Sequence, residues 1–262
     1  MTTTGKSGMD NRLIGLLLAG MSFLAAVCCA NAATPEARKE RIEAVEAGPT
    51  PDALARKSRS EVRLRAEGVP INESLPAIEG LEEIERRTKE QIAWRAMALL
   101  VVSMKGEGVE QSKVEAIVHE YGLEGHFTPK EAAFIADQSP SDEQRVQFVW
   151  RYEAAWTLLW ALGYVDELQK PTAICDVPAA VKFLRARSAA QFIADAKLRP
   201  IEEIADAADL IYRYHWAVVD ARVNGDEAPA SLNADVTMER HYALNWLVGY
   251  MDEAWDDIST DT

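Results

Sequence analysis

The sequence predicts an all-α protein: a single compact multi-helix domain, arranged as an orthogonal or irregular bundle after an N-terminal signal segment. Apolar residues recur at helical spacing through much of the chain. Several of these stretches begin with Ser or Thr followed by proline, which is typical of a helix start. No stretch alternates polar and apolar residues between hairpin turns, as a β-strand would. An apolar content of 48% and a charged content of 27% are those of a folded globular chain.

The N-terminus has the pattern of an export signal. Lys6 and Arg12 precede an apolar run over residues 13–27, and a small-residue cleavage site ends at Ala32. We therefore expect residues 1–32 to be a signal peptide and the mature protein to be exported, either periplasmic or secreted.

An uncleaved leader is the alternative. Residues 13–33 carry no charge, and a run of this length can cross a bilayer. The protein would then be a membrane-anchored structural or accessory protein. A membrane is expected as a partner only through this leader.

The charge balance excludes another class of partner. The formal net charge is −14 and the pI is about 4.8, which argues against binding to a nucleic-acid backbone. The partners that this acidic chain leaves open are a small polar ligand or another protein.

The mature chain divides into a charged helical spacer at residues 33–70 and an all-helical domain at residues 71–262. Within the spacer, threonine-proline pairs at 34–35 and 50–51 predict helices over 35–47 and 51–67. The second of these helices offers Val62 and Leu64 for docking on the edge of the domain.

Further helices follow from capping residues and from Gly and Pro stops. Thr128-Pro129 with Glu131 forms a capping box, so Glu131 is better explained by capping than by catalysis. The predicted helices cover residues 81–105, 109–121, the stretch opened by Thr128, one long helix opened by Ser139-Pro140-Ser141-Asp142 and ending near Gly163, then 179–187, 189–196, 200–224 and 236–251.

Residues 209–222, DLIYRYHWAVVDAR, are expected to form the helix around which the domain is organised. Asp209, Arg213, Trp216 and Asp220 lie on one side of this helix, whose remaining circumference is largely apolar. Asp209 and Arg213 are four residues apart and can form an ion pair. The stripe is either an internal network or one wall of a ligand pocket.

A second helix places a carboxyl group among indole rings. Glu153, Trp156, Trp160 and Tyr164 share one sector of the stretch WRYEAAWTLLWALGY. Desolvation beside tryptophan raises the pKa of a carboxyl group and can create a general acid. The alternative, which we favour, is that Glu153 pairs with an arginine such as Arg213 while the tryptophans fill the core.

A third helix contains a polar side chain on an apolar stretch. Asn245 lies within ERHYALNWLVGY and needs hydrogen-bond partners if it is buried. It could orient a ligand or tie two helices together.

Metal binding and cofactors are not expected. The histidines at 119, 126, 215 and 241 form no HExxH motif and no pair four residues apart. Cleavage after Ala32 would leave Cys175 as the single cysteine, so no intrachain disulfide could form. No Gly-rich phosphate loop or nucleophile elbow is present.

These same stretches carry a resemblance to a known family. The runs RRTKEQIAWRAMALL, TPKEAAFI, WRYEAAWTLLWALGY, DLIYRYHWAVVDAR and ERHYALNWLVGY, with Cys-Asp-Val at 175–177 and a terminal WDDISTDT, resemble domain of unknown function 4272 over about residues 61–262. The resemblance implies one compact domain. It implies no activity, ligand or catalytic residue.

The expected function is an exported, non-catalytic binding or interaction module with an internal polar pocket or network. The alternative is a hydrolase-type enzyme in which Glu153 acts as general acid with Asp220 or Asp209 as partner, because carboxyl groups about 5 to 10 Å apart can hydrolyse glycosidic bonds. The candidate catalytic residues are Glu153 and Asp220, and the candidate ligand-binding residues are Trp156, Trp160, Asp209, Arg213, Trp216 and Asn245.

Overall fold

Helices account for all the regular secondary structure in residues 48–262, the range that the computed structural model describes. The α-helices are α1 (Pro51–Glu67), α2 (Lys89–Glu107), α3 (Gln111–Tyr121), α4 (Pro129–Ala136), α5 (Asp142–Val149), α6 (Arg151–Ala161), α7 (Val177–Arg185), α8 (Ala189–Asp195), α9 (Ile201–Asn224) and α10 (Ala234–Leu247). This range contains no strand, so the all-α prediction is confirmed. The predicted signal segment and the helix at 35–47 lie outside the described residues.

The most deeply buried helix is α2, and the rest of the bundle packs around it. Every residue from Arg95 to Gly106 is buried. The sequence suggested that the domain is organised around residues 209–222. In the structure its centre is α2 instead.

The start of α2 also differs from its prediction. Thr88 and Gln91 form a capping box that starts the helix at Lys89, and residues 81–88 are turn and extended chain. Periodicity had suggested a helix from residue 81. That prediction was wrong because reciprocal capping bonds define the helix start at Lys89.

The helices pack in an order that is not their order in the chain. α6 packs on α2, α10 on α6, α9 on α10 and α1 on α9, while α5 packs against α2. Gly106 permits the close crossing of α2 and α5, because a Cβ atom there would lie 2.8 Å from the carbonyl oxygen of Arg145. α1 and α2 therefore lie far apart in this packing order, although they are consecutive helices.

Two other predicted elements change in detail. The long helix expected from Ser139-Pro140-Ser141-Asp142 to near Gly163 is divided at Trp150 into α5 and α6, and Ser141 is the residue that caps α5. α9 ends at the predicted stop, where Gly225 adopts a left-handed conformation with φ of +79°.

α1 packs against α9 along one face. Ala53, Arg56, Ser60 and Leu64 recur at helical spacing and are all buried. Leu64 docks as the sequence predicted, whereas Val62, its expected companion, is 60% exposed on the opposite side. The buried face of this predicted spacer helix is part of the packed bundle.

The chain after α10 folds back onto the bundle. Trp255 and Ile258 are buried, and the Asn245 side chain donates a 2.8 Å hydrogen bond to the carbonyl oxygen of Ser259. Across residues 48–262, we find no helix with the length and apolar character needed to cross a membrane.

Candidate functional site

Glu153 is buried, and its partner is not the one that the sequence suggested. One carboxylate oxygen accepts two 3.2 Å bonds from Arg240, and the other accepts the backbone N–H of Cys175. Arg213, the predicted example of a partner, pairs elsewhere. The choice depends on α10 packing against α6, which helical spacing along one segment does not reveal.

Asp209 and Arg213 form the predicted ion pair within α9. Two bonds of 2.8 Å join the guanidinium to the carboxylate, and Arg213 also donates to the carbonyl oxygen of Pro76 at 3.1 Å. Both side chains are almost completely buried. The pair is a geometrically matched fork, with two guanidinium nitrogens facing the two carboxylate oxygens.

The other predicted residues do not assemble around this pair. Asp220 and Trp216 are half-buried on α9, and Trp156 is half-buried on α6. Asn245 bonds the C-terminal segment, so in this structure it ties two parts of the chain together. Trp160 is the predicted ligand-binding residue that borders the cavity described below.

The structure contains a buried pair of histidines that no sequence pattern predicted. His215 on α9 and His241 on α10 have Nδ1 atoms 2.9 Å apart, so one imidazole donates and the other accepts. Burial lowers the pKa of His215 to about 4 and that of His241 to about 3. Both rings are therefore neutral at pH 7, and the pair joins two helices.

A cavity of about 420 Å³ lies where α1, α9, α10 and the end of α6 meet. This volume falls in the range of about 300–1,000 Å³ that is usual for small-molecule sites. The connector at residues 166–171 forms one wall. Glu153, Asp209, Arg213 and Asp220 do not border the cavity.

The cavity has a charged lining and an apolar floor. Its apolar and aromatic lining residues are Trp160, Leu168, Pro171, Ala207, Leu210, Ile211, Tyr214 and Leu244. Its cationic lining residues are Arg56, Arg59, Arg63, Lys170, Arg199 and Arg240, and its carboxylates are Asp166, Glu167, Glu203 and Asp206. The lining therefore has a cationic excess, although the whole chain carries a net charge of −14.

Two arginines hold the connector in position. Arg199 donates to the carbonyl oxygens of Trp160, Val165 and Asp166 at 2.8, 2.9 and 2.6 Å. Arg240 donates to the carbonyl oxygen of Gln169 at 2.6 Å. The wall of the cavity is thus fixed from both sides by charge-assisted bonds to the main chain.

The rim arginines are arranged differently. Arg59 pairs with Asp206 at 2.5 Å, and Arg63 pairs with Glu67 at 2.9 Å. The side chains of Arg59 and Arg63 are 59% and 47% exposed. Their guanidinium groups therefore keep free edges toward water and toward any ligand at the mouth.

Glu67 is the most firmly held carboxylate near this rim. Burial would raise its pKa, but a hydrogen bond from Tyr214, the bond from Arg63 and the charge of Lys170 together hold the pKa below its usual value. Glu67 therefore stays ionised and anchors Arg63. Burial also raises the pKa of the Tyr214 hydroxyl, which stays protonated and donates.

Sequence reasoning missed the cationic face of α1. Arg56, Arg59 and Arg63 follow the spacing i, i+3, i+7 and therefore lie on one side of a helix. This spacing was a usable signal, although it alone does not reveal that the face turns toward α9. Arg199 and Arg240 gave no such signal, because their roles depend on a connector that is distant in sequence.

Neither a metal site nor a reactive thiol emerges from the described residues. Within 48–262, no three His, Cys, Asp or Glu side chains cluster as metal ligands would. Cys175 is buried, and burial raises the pKa of its thiol, so the thiolate is disfavoured.

The fold and the cavity define an all-helical protein with a charged cavity of small-molecule size. The profile of a known family matches residues 56–258, and the chain belongs to that family, described as Domain of unknown function (DUF4272). The match begins within α1 at residue 56, so the face of α1 that lines the cavity is part of the family domain. No curated protein and no solved structure matches the chain.

Proposed function

We propose that this protein is a non-catalytic binding module for a small amphipathic anion, held in the cavity between α1 and α9. The observation that carries the proposal is that six cationic side chains line one cavity of a strongly acidic chain, and that two of them, Arg59 and Arg63, remain about half exposed at its mouth. Positive charge concentrated at one cleft of an otherwise negative surface attracts an anion selectively.

The floor of the cavity supports an apolar body for the ligand. Ile211 and Leu244 are buried there, and Trp160 presents an indole that Arg199 covers at 4.9 Å from the ring centroid. Apolar surface with a few convergent polar groups is the usual composition of a ligand site. The anionic group of the ligand would then meet the arginine face of α1 at the mouth, where Arg59 and Arg63 are the exposed members.

The contacts of the carboxylates favour binding over hydrolysis. Glu153 is committed to Arg240 and to the backbone of Cys175, and Asp209 is committed to Arg213. Neither borders the cavity. A general acid must reach the atom that it protonates, and these two carboxyl groups lack that access.

Calorimetric titration with 2-naphthoate and with its neutral counterpart 2-naphthamide tests the proposal. We expect the carboxylate to bind more tightly than the amide. The double variant Arg59→Gln/Arg63→Gln should lower the 2-naphthoate affinity about tenfold or more, because each charge-assisted hydrogen bond contributes roughly 1.5 kcal/mol. The 2-naphthamide affinity should change little.

Arg65→Gln is the matched control. Arg65 lies on α1, its side chain is 54% exposed, and it does not border the cavity. The proposal is wrong if neither probe binds the parent protein. It is also wrong if Arg65→Gln lowers the 2-naphthoate affinity as much as the double variant does.

We also propose that this module is exported, with residues 1–32 removed. The supporting observation is the leader pattern of Lys6, Arg12 and the apolar run over residues 13–27. Mass spectrometry of protein from its native source should give an N-terminus at Ala33. An intact Met1 in the membrane fraction would favour the anchored alternative.

A further inference from the structure

Asp206 is held differently from the other carboxylates around the cavity. Glu67 receives bonds from Tyr214 and Arg63, and Glu203 pairs with Arg199, which the connector carbonyls fix in place. Within the described part of the chain, the hydrogen bonds and ion pairs of Asp206 come from Arg59 and Arg56, and its side chain is 46% exposed.

Two arginines approach Asp206 from different sides. Arg56 is 2% exposed, and its two terminal nitrogens donate to Asp52 at 3.0 Å and to the carbonyl oxygen of Glu79 at 2.9 Å. Its remaining Nε edge lies 3.7 Å from Asp206. Arg59 approaches the same carboxylate at 2.5 Å from the exposed side. One fixed and one adjustable guanidinium therefore converge on a single carboxylate.

We propose that Asp206 is a resident competitor, which occupies the subsite that the carboxylate of the ligand takes when it binds. This inference rests on the proposed function and specifies its ligand class as an amphipathic carboxylate. The subsite already holds a carboxylate, and planar guanidinium forks match carboxylate geometry. Because Asp206 is nearly half exposed, its side chain can rotate into water when the ligand displaces it.

The exchange has a consequence for affinity and for the contact between helices. Arg56 and Arg59 belong to α1 and Asp206 to α9, so these ion pairs join the two helices across the cavity mouth. The carboxylate of a bound ligand would replace Asp206 as the partner of Arg56 and Arg59. Each binding event replaces one carboxylate with another, which keeps the affinity moderate and the exchange reversible.

Asp206→Asn tests this inference with the same two probes. The amide keeps the size of the side chain but removes the charge that competes for the arginines. We expect the 2-naphthoate affinity to rise about tenfold, which corresponds to roughly 1.4 kcal/mol. The affinity for 2-naphthamide should not change. Adding Arg59→Gln to Asp206→Asn should remove the gain.

Glu203→Gln is the matched control. Glu203 borders the same cavity on the same helix, one turn before Asp206, but its partner Arg199 remains fixed by main-chain carbonyls. This variant should alter the 2-naphthoate affinity by less than about twofold, since exposed ion pairs contribute little.

The outcomes separate this inference from the function on which it rests. If the parent binds 2-naphthoate but Asp206→Asn does not bind it more tightly, the resident-competitor role is wrong and the binding function stands. Equal gains in Asp206→Asn and Glu203→Gln would also overturn it, because they would indicate a general charge effect. If the parent binds neither probe, the binding function itself is wrong.

Discussion

The wall and the rim of the cavity use arginine in opposite ways. In the wall, Arg199 and Arg240 donate to main-chain carbonyl oxygens of the connector and to a carboxylate each. At the rim, Arg59 and Arg63 each hold one carboxylate and remain about half exposed. The difference teaches that the donors an arginine has left over, rather than residue type, decide whether it only supports the fold or is also available to a ligand. Arg56 combines the two uses, because its terminal nitrogens are bonded while its Nε edge faces Asp206.

The largest effect on stability is expected at Arg240, the wall arginine that neutralises the buried Glu153 carboxylate. Arg240→Met would leave the buried Glu153 carboxylate without its guanidinium partner and the Gln169 carbonyl without its donor. Breaking one side of a buried ion pair costs about 3–5 kcal/mol, so we expect the free energy of unfolding in urea to fall by that amount.

The double variant Glu153→Leu/Arg240→Met is the control for this prediction. It should recover part of the loss, because neither charge of this pair is left buried, and the recovery should be incomplete, because the Cys175 backbone N–H loses its acceptor when Glu153 is replaced. A single variant within about 1 kcal/mol of the parent would contradict the role assigned to the pair.

The next largest effect on stability is expected from the histidine pair, as a dependence of the free energy of unfolding on pH. Both pKa values in the folded protein lie below the ordinary 6.5, at about 4 for His215 and about 3 for His241. As the pH falls below 6.5, the unfolded chain therefore binds protons at these histidines before the folded protein does. The stability that the neutral pair supports is present above pH 6.5 and is lost as the pH falls. Each unit of pKa depression corresponds to about 1.4 kcal/mol. Summed over the two histidines, we expect a loss of about 3 kcal/mol between pH 6.5 and pH 5, which continues to grow toward pH 4.

Urea unfolding over this pH range checks the prediction. The surroundings favour neutral rings, because burial dominates and Arg222 adds a positive charge near His215. Replacing both histidines with asparagine should flatten the stability profile between pH 6.5 and pH 4. An identical slope in the parent and the double variant would contradict the assignment to this pair.

Arg199→Lys should produce a smaller change. An ammonium group cannot replace the planar fork that reaches three carbonyl oxygens and Glu203. We expect thermal and urea unfolding to indicate a loss of about 1–2 kcal/mol. Full retention of stability would mean that the connector is held by its other contacts alone.

The smallest effect on stability is expected at the rim. Arg63→Gln removes a half-exposed ion pair with Glu67, and such pairs contribute less than about 1 kcal/mol. The same substitution should weaken 2-naphthoate binding. A rim variant that loses stability as Arg240→Met does would erase the distinction between wall and rim.

Several features of the fold were predictable because they depend on neighbours in the sequence. Thr50 and Thr128 cap the helices that they were expected to cap, and the Asp209–Arg213 pair follows from a separation of one helical turn. Local spacing also placed Arg56, Arg59 and Arg63 on one face of α1, although this signal was overlooked.

The partners between helices were not predictable in the same way. Glu153 had several arginines available, and only the packing of α10 against α6 selects Arg240. His215 and His241 are 26 residues apart, and nothing in either helix marks them as neighbours. One sequence records which faces are apolar but not which faces meet.

The sequence by itself determined the all-α class, most helix starts and the acidic character of this protein, because capping, periodicity and charge are local or additive properties. Only the tertiary structure decided that α2 is the centre, that α1 closes a cavity against α9, and that Arg240 rather than Arg213 neutralises Glu153. The physical reason is that buried charges must find partners across helix interfaces, and those interfaces exist only once the helices have packed.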